Sequence, residues 1–306
     1  MLYQRVRRRF GTAPILLDGP VGAEAVRRGI RWRKHGMLAD SEAVARIHQD
    51  YLAAGADLLR TNTFGLNGRI YLNVFKNPAH MAHIGAPGLA DLADRLLDRA
   101  VALAREARGR SGRDDVPIAG VISPLEHVFR PDRAPDYGAA REEHGRIADR
   151  LASGCDLLLL EAFGTDRETR AAVDAAADTH HPFWASFAVG ESGDLLSGES
   201  LAVAARYAVE RGAAALIATA APLADVLRAH PVLARLGQPT GVAPLCGLFD
   251  PPSWKFEFHP QFAELPDPRA FAREVRAASN DTAIVGAWCG ATPEHIAALR
   301  REVPSG

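Results

Sequence analysis

"CDLLLLEAF", residues 155–163, sets four consecutive leucines between an aspartate and a glutamate. A short run that is apolar at every position, not at every second one, must be covered on both faces. That pattern marks an inner strand of a parallel sheet with helices packed outside it. Working outward, seven further runs share the character: "PILLDG" (14–19), "ADLLRTNTF" (56–64), "VPIAGVIS" (116–123), "PFWASFAV" (182–189), "AALIATA" (214–220), "TGVAPLC" (240–246) and "TAIVGAWCG" (282–290). Segments with helical recurrence of apolar residues follow them, at 41–54, 87–110, 136–153, 166–178, 199–211, 222–236, 267–279 and 292–303. Eight strand–helix repeats predict an α/β fold, a single (β/α)8 TIM barrel. A doubly wound open sheet is the alternative, but no G-x-G-x-x-G follows the first strand. The 306 residues suit one such domain, 1–306, because a barrel needs about 250 residues plus insertions. Residues 1–13 read as a solvated N-terminal arm, and 65–86 and 247–266 as loops over the active face.

Composition narrows the function classes. Apolar residues make up 47 % and charged residues 24 %, and the formal net charge is −1. That balance gives no bulk attraction to phosphate or to a membrane surface, so neither nucleic acid nor membrane is expected as a partner. The basic stretch "RVRRRF" (5–10) has no apolar segment behind it, and no run is long enough to span a bilayer. Cys155, Cys246 and Cys289 are too few for a disulfide framework and suit a reducing cytoplasm. Abundant Ala, Arg and Gly with few Lys look like the coding bias of a high-GC bacterium. Nothing in the sequence specifies an oligomer.

In barrels of this kind the chemistry sits where strands run into the following loops. That sorts the candidates: Cys155 and the His180–His181 pair precede their strands, whereas Asp18, Asn62, Glu161, Cys246 and Cys289 fall at C-terminal strand ends. Asp18 and Glu161 end largely apolar strands, where an unpaired carboxylate is costly, so each should face a cation or a hydrogen-bond donor. A ligand could supply it, the reading this barrel face favours; so could an internal arginine or backbone amides. Asn62 could touch ligand or tie a loop down. Cys246 and Cys289 end neighbouring strands and could form a rebuilt metal site with His127 or His259, form a redox pair, or pack as small hydrophobes. Cys289 also precedes Thr292-Pro293, a helix start whose positive end would lower a thiol pKa and make it a nucleophile. In "SPLEHVFRPD" (123–132), His127 is the general acid/base candidate, beside Glu126, Arg130 and Asp132, which could equally form a salt-bridged loop. Phe249 and Trp254 could wall the pocket.

Taken together, "ILLDGPVGAE" (15–24), "YLAAGADLLRTNTF" (51–64), "LLLLEAF" (157–163), "WASFAVGESGDLLSGES" (184–200) and "GAWCGATPEHI" (286–296) resemble the homocysteine S-methyltransferase family over residues 14–300. The resemblance implies a zinc-dependent barrel that moves a methyl group from a sulfonium, ammonium or folate donor to the sulfur of homocysteine. The metal holds the thiol as thiolate at neutral pH. It also implies that Asp18, Gly19, Gly22 and Glu161 stand where relatives grip the amino acid, with Asn62 in a matching motif. Pro20 removes one amide donor from that loop. Three cysteines supply the metal in the family. Here Ala220 stands at the first of those positions, Trp288 at the second, and Cys289 alone is kept. Zinc sites need about three protein ligands, so no cofactor is expected and zinc is possible only if the site is rebuilt from Cys246 and Cys289. Trp288 would fill the metal's volume and border the substrate.

Two functions follow as expectations. One is a homocysteine S-methyltransferase-like enzyme acting on a sulfur-containing or related amino acid, with a small amino-acid, thioether or sulfonium ligand and a degenerate zinc site. The other is a zinc-free enzyme of a specialised pathway, or an amino-acid-binding protein, that keeps the pocket without methyl transfer.

Overall fold

The computed structural model describes residues 2–30, 40–69, 89–247, 249–250, 261–262, 264–279 and 281–304. Trp254 and His259 lie outside the described residues, as do residues 70–88. Eight parallel strands form one curled sheet: β1 (Ile15–Leu16), β2 (Leu59–Arg60), β3 (Ile118–Ile122), β4 (Leu157–Phe163), β5 (Phe183–Ala188), β6 (Leu216–Thr219), β7 (Thr240–Ala243) and β10 (Ile284–Val285). A separate antiparallel pair, β8 (Phe249–Asp250) with β9 (Gln261–Phe262), lies within the stretch read as a loop over the active face. The ladder runs β1-β10-β7-β6-β5-β4-β3-β2. Its two ends meet at a seam, where Leu17 bridges Leu58 and the Asp57 amide donates to Leu16 O at 2.8 Å. This is a TIM-barrel-like sheet.

Helices pack outside it: α1 (Tyr3–Arg9), α2 (Val21–Arg27), α3 (Ser41–Ala53), α4 (Leu89–Arg110), α5 (Tyr137–Ala152), α6 (Asp166–Asp178), α7 (Leu201–Glu210), α8 (Leu223–Ala234), α9 (Pro268–Ala278) and α10 (Pro293–Glu302). Local chemistry fixes their starts. Asp136 caps α5 by accepting from Ala139 N, Asp267 caps α9 by accepting from Ala270 N, and Thr292 with His295 forms a capping box before Pro293. No described helix is long and apolar enough to cross a membrane.

Alternate strand residues build two cores. Ile15, Leu17, Leu58, Val121, Leu157, Leu159, Trp184 and Ile217 fill the inside of the sheet, while Leu16, Ile122, Leu158, Leu160, Phe187 and Val285 pack beneath the helices. The N-terminal arm is corrected by the structure. Residues 3–9 form α1, whose Tyr3 and Val6 are buried in the inner core, and Phe10 lies 5.7 Å from the Trp184 ring. The arginines of the stretch are its wet face; its aromatic and aliphatic residues close the floor of the sheet.

The floor is tied by charge. Asp57 accepts from Leu16 N at 2.9 Å and pairs with Arg9 and Arg300, each at 2.8 Å. Asp156 repeats the device at the β3–β4 pair, accepting from Ile118 N at 2.9 Å and from Arg108 at 3.2 Å. Both aspartates sit in a Gly-x-Asp-Leu-Leu stretch at a strand start, "GADLL" (55–59) and "GCDLL" (154–158). Beside the second, a cleft of about 620 Å³ is lined by Tyr3, Cys155, His181 and Arg211. His181 Nε2 lies 3.0 Å from Cys155 O.

Candidate active site

The C-terminal strand ends gather the residues that the sequence places at the mouth. β4 reaches it through a bulge: Leu160 pairs with Ala185 and Phe163 with Phe187, so β4 holds one residue more than β5 between these pairs, and Ala162 takes a φ of +66°. An extra residue in one strand re-aims its side chains. Glu161 keeps the inward side of Leu157 and Leu159, and the extra residue sends Phe163 to the outer core.

Glu161 meets a cation, and it comes from the chain itself. Arg60, at the end of β2, is only 4 % exposed. Its Nε donates to Asp18 Oδ1 at 2.7 Å, its Nη1 to Glu161 Oε1, and its Nη2 to the carbonyls of Asp18 and, at 3.4 Å, Ala287. The Arg60 backbone amide donates to the other Asp18 oxygen at 2.9 Å. Asp18 is fully buried, and Arg60 engages both of its carboxylate oxygens. Of the partners open to Asp18 from the sequence, the internal arginine engages it in this arrangement.

Burial raises the Asp18 pKa to about 6 against the opposing pull of Arg60, and the Glu161 charge adds to the rise. For Arg60, burial works against the cation, but Glu161 and Asp18 more than offset it and hold the guanidinium charged. Two carboxylates against one guanidinium leave the cluster one negative charge in excess when all are ionised.

Gly19 follows Asp18 because nothing larger fits. A Cβ there would stand 2.3 Å from the Tyr51 ring, whose hydroxyl donates to Ala291 O at 3.1 Å. At Gly22 a Cβ would meet Asn62 Oδ1 at 3.4 Å, so α2 and the Asn62 amide lie side by side. Asn62 is 5 % exposed and its side chain makes no hydrogen bond to another described residue.

Above the charged cluster the mouth is apolar. Trp288, 4 % exposed, packs with Val128, Ala162, Ala188 and Ala220, and the rings of Phe64 and Phe129 meet it edge-on at 5.8 and 6.0 Å. Ala220 adopts a φ of +58°, a backbone state that L residues other than Asn, Asp and Gly seldom take. Cys289 borders this cluster, half-buried. Burial pushes its thiol up to about 12, the Glu161 charge adds to the rise, and Arg60 only partly opposes it. Burial thus opposes the lowering of the Cys289 thiol pKa expected from the helix start at Thr292. Cys246 is fully buried, is likewise pushed up to about 12, and is joined to Cys289 through backbone, its amide donating to Cys289 O at 3.0 Å. Among the described residues no group of three His, Cys, Asp or Glu side chains could hold a metal ion. Of the two histidines weighed as a third ligand to Cys246 and Cys289, His127 forms no such group among the described residues, and His259 lies outside them.

His127 sits on the rim, its ring 5.9 Å from Phe129 and its Nδ1 accepting from Phe129 N at 3.3 Å. Burial, helped by the Arg130 charge, lowers its pKa, so it is neutral at physiological pH. Arg130 in turn is paired with Asp132.

Arg60 is the functional residue that the sequence reading passed over. It is the one Lys or Arg in the eight strand segments, and two acids end strands close by, Asp18 after β1 across the seam and Glu161 on β4 beyond β3. That coincidence was the available signal.

A parallel strand–helix sheet with its polar and thiol side chains gathered at the C-terminal strand ends defines the class of TIM-barrel-like enzymes. The model of the family described as homocysteine S-methyltransferase matches residues 15–303, and the chain belongs to that family. Its relatives include methionine synthase of Mycobacterium tuberculosis, 28 % identical over 83 % of this chain, and betaine–homocysteine S-methyltransferase 1 of Rattus norvegicus, 24 % identical over 89 %. This chain spans 21 % of the length of the synthase and 67 % of that of the betaine enzyme. Homocysteine S-methyltransferase YbgG of Bacillus subtilis is 26 % identical over 69 % of this chain and 70 % of its own. Among solved structures, the metallated form of the homocysteine methyltransferase MmuM from Escherichia coli superposes with a TM-score of 0.75 over 98 % of this chain and 99 % of its own, at 21 % identity. That likeness supports the fold.

Proposed function

We propose that this chain transfers a methyl group from a small donor to the sulfur of a sulfur-containing amino acid or a close relative of one, without the three-cysteine zinc cage. The family match supports the methyl-transfer chemistry. The donor set argues against the cage: Ala220 and Trp288 occupy two of the ligand positions implied by the resemblance, and the remaining thiol, Cys289, is held protonated. An indole and a methyl group offer zinc no lone pair. The mouth does not fit the metal.

In this reading the substrate sulfur lies against Trp288 and Cys289, with Gly19, Gly22, Asn62 and the free oxygen of Glu161 around its other end. The substrate thiol attacks the donor methyl carbon, the S–C bond forms as the donor bond breaks, and the thiol proton passes to His127, which burial keeps in its basic form. Three free cysteines fit a cytoplasmic setting.

The buried Trp288 also favours a second reading, a zinc-free protein that binds the same ligands without methyl transfer. One experiment separates the two. Purified protein is incubated with homocysteine and S-methylmethionine, with and without a chelator, and methionine is followed by mass spectrometry beside total zinc. Chelator-resistant methionine formation with well below one zinc per chain supports the proposal. Binding without turnover selects the second reading. A full equivalent of tightly held zinc, lost together with activity, overturns both.

A further inference from the structure

The mouth carries a pair of carboxylates whose natural complement is a cation, yet the seat between them is filled. Every guanidinium nitrogen of Arg60 is engaged by the protein: Nε by Asp18, Nη1 by Glu161, Nη2 by two carbonyls. Asp18 has no exposed surface and presents no unused oxygen. The cluster keeps one negative charge in excess when ionised, but an incoming ammonium would find Asp18 saturated and would have to share Glu161 with the guanidinium that already holds it. It would also have to compete for carboxylates that a guanidinium already holds in fork geometry. What remains for a ligand is one oxygen of Glu161, the unbonded amide of Asn62, and the wall of Trp288, Phe64, Phe129 and Cys289.

We propose that Arg60 is a resident cation occupying the Asp18–Glu161 seat, and that the ligand taken at this mouth is a small thiol or thioether lacking an ammonium group there, not a free α-amino acid. The inference rests on reading this mouth as the methyl-transfer site. Arg60 sets specificity: it supplies the charge that a substrate would otherwise bring, and so removes the selection for an amino group. The wall above it still selects for an apolar, sulfur-bearing chain.

The test compares two thiols that differ only in the ammonium, homocysteine and 4-sulfanylbutanoate, by calorimetric titration of the wild-type chain and of Arg60→Ala and Arg60→Lys. Wild type is expected to bind 4-sulfanylbutanoate at least as tightly as homocysteine. Arg60→Ala empties the seat and is expected to shift the preference toward homocysteine by about tenfold or more, while Arg60→Lys, which keeps a cation, holds the wild-type preference. If Arg60→Ala does not fold, the wild-type and Arg60→Lys titrations decide. A wild-type preference for homocysteine of about tenfold overturns the inference and leaves the methyl-transfer reading standing. Binding of neither thiol by any folded form overturns both.

Discussion

The two ends of the sheet each carry a knot of arginine and carboxylate, built with opposite stoichiometry. At the floor one carboxylate, Asp57, is shared by Arg9 and Arg300, and these side chains are 12–23 % exposed. At the mouth one arginine, Arg60, is shared by Asp18 and Glu161, with exposures of 0–8 %. Water reaches the floor knot and screens it, so its work is mainly geometric: Asp57 also accepts from Leu16 N and fixes where β1 starts. At the mouth, desolvation makes each group depend on the others, and the excess charge is negative. The fold can lose a pair at the floor and keep its shape; at the mouth, removing one member strands a buried charge.

The largest expected effect follows directly. Arg60→Leu leaves Asp18 and Glu161 facing each other without a cation and should cost about 3–5 kcal/mol in denaturant unfolding. Arg9→Ala at the floor should cost at most about 1 kcal/mol, because Arg300 remains and the site is wet. Equal losses would erase the distinction between the ends.

Next in size is the pH response of the mouth. Asp18 has a folded pKa of about 6, above the ordinary carboxylate value, so the folded state holds its proton more readily than the unfolded chain does. Its contribution to stability is therefore fully present below about pH 4 and is lost as pH rises through about 6, to a total on the order of 3 kcal/mol. His48, fully buried and with its pKa lowered by desolvation to about 4, works in the opposite sense over an overlapping range. The Asp18 part is isolated by subtraction: unfolding free energies of wild type and Asp18→Asn, measured from pH 4 to 7, should diverge with pH. Parallel curves would mean that Arg60 holds Asp18 ionised throughout.

The same contrast explains what the sequence disclosed. The eight strands and the eight following helices fall within the expected segments because their signals are local: apolar runs, caps such as Asp136 and Asp267, and the Thr292-Pro293 start. α1 escaped because "YQRVRRRF" is dominated by charge, and only the folded sheet shows that Tyr3 and Val6 have a floor to cover. The convergence of Asp18, Asn62, Glu161 and Cys289 on one mouth was legible from their places at strand ends. Arg60 was harder. A strand buried on both faces loses the alternation that tells inside from outside, so "LLRT" does not reveal that Arg60 shares the side of Leu58 and not of Leu59. The bulge at Ala162, which sends Phe163 to the outer core, has no sequence mark of its own.

The mildest perturbation tests the thiols, one half-buried at each end. Cys289 at the mouth and Cys155 at the floor are both pushed up to about 12 by burial, although Cys289 precedes a helix start and Cys155 has Arg105 and Arg108 as partial compensation. If desolvation outweighs these local fields, alkylation of the native chain by iodoacetamide, followed by peptide mass spectrometry, should climb about tenfold per pH unit from pH 7 to 10 at both sites, with no plateau. Heating profiles should be unchanged by partial labelling at pH 8, since little thiolate exists there to react. A plateau at Cys289 below pH 8, with Cys155 still climbing, would show that the helix start does activate the mouth thiol; the nucleophile would then be Cys289 itself, and the apolar packing of Trp288 around it would serve to shield a thiolate.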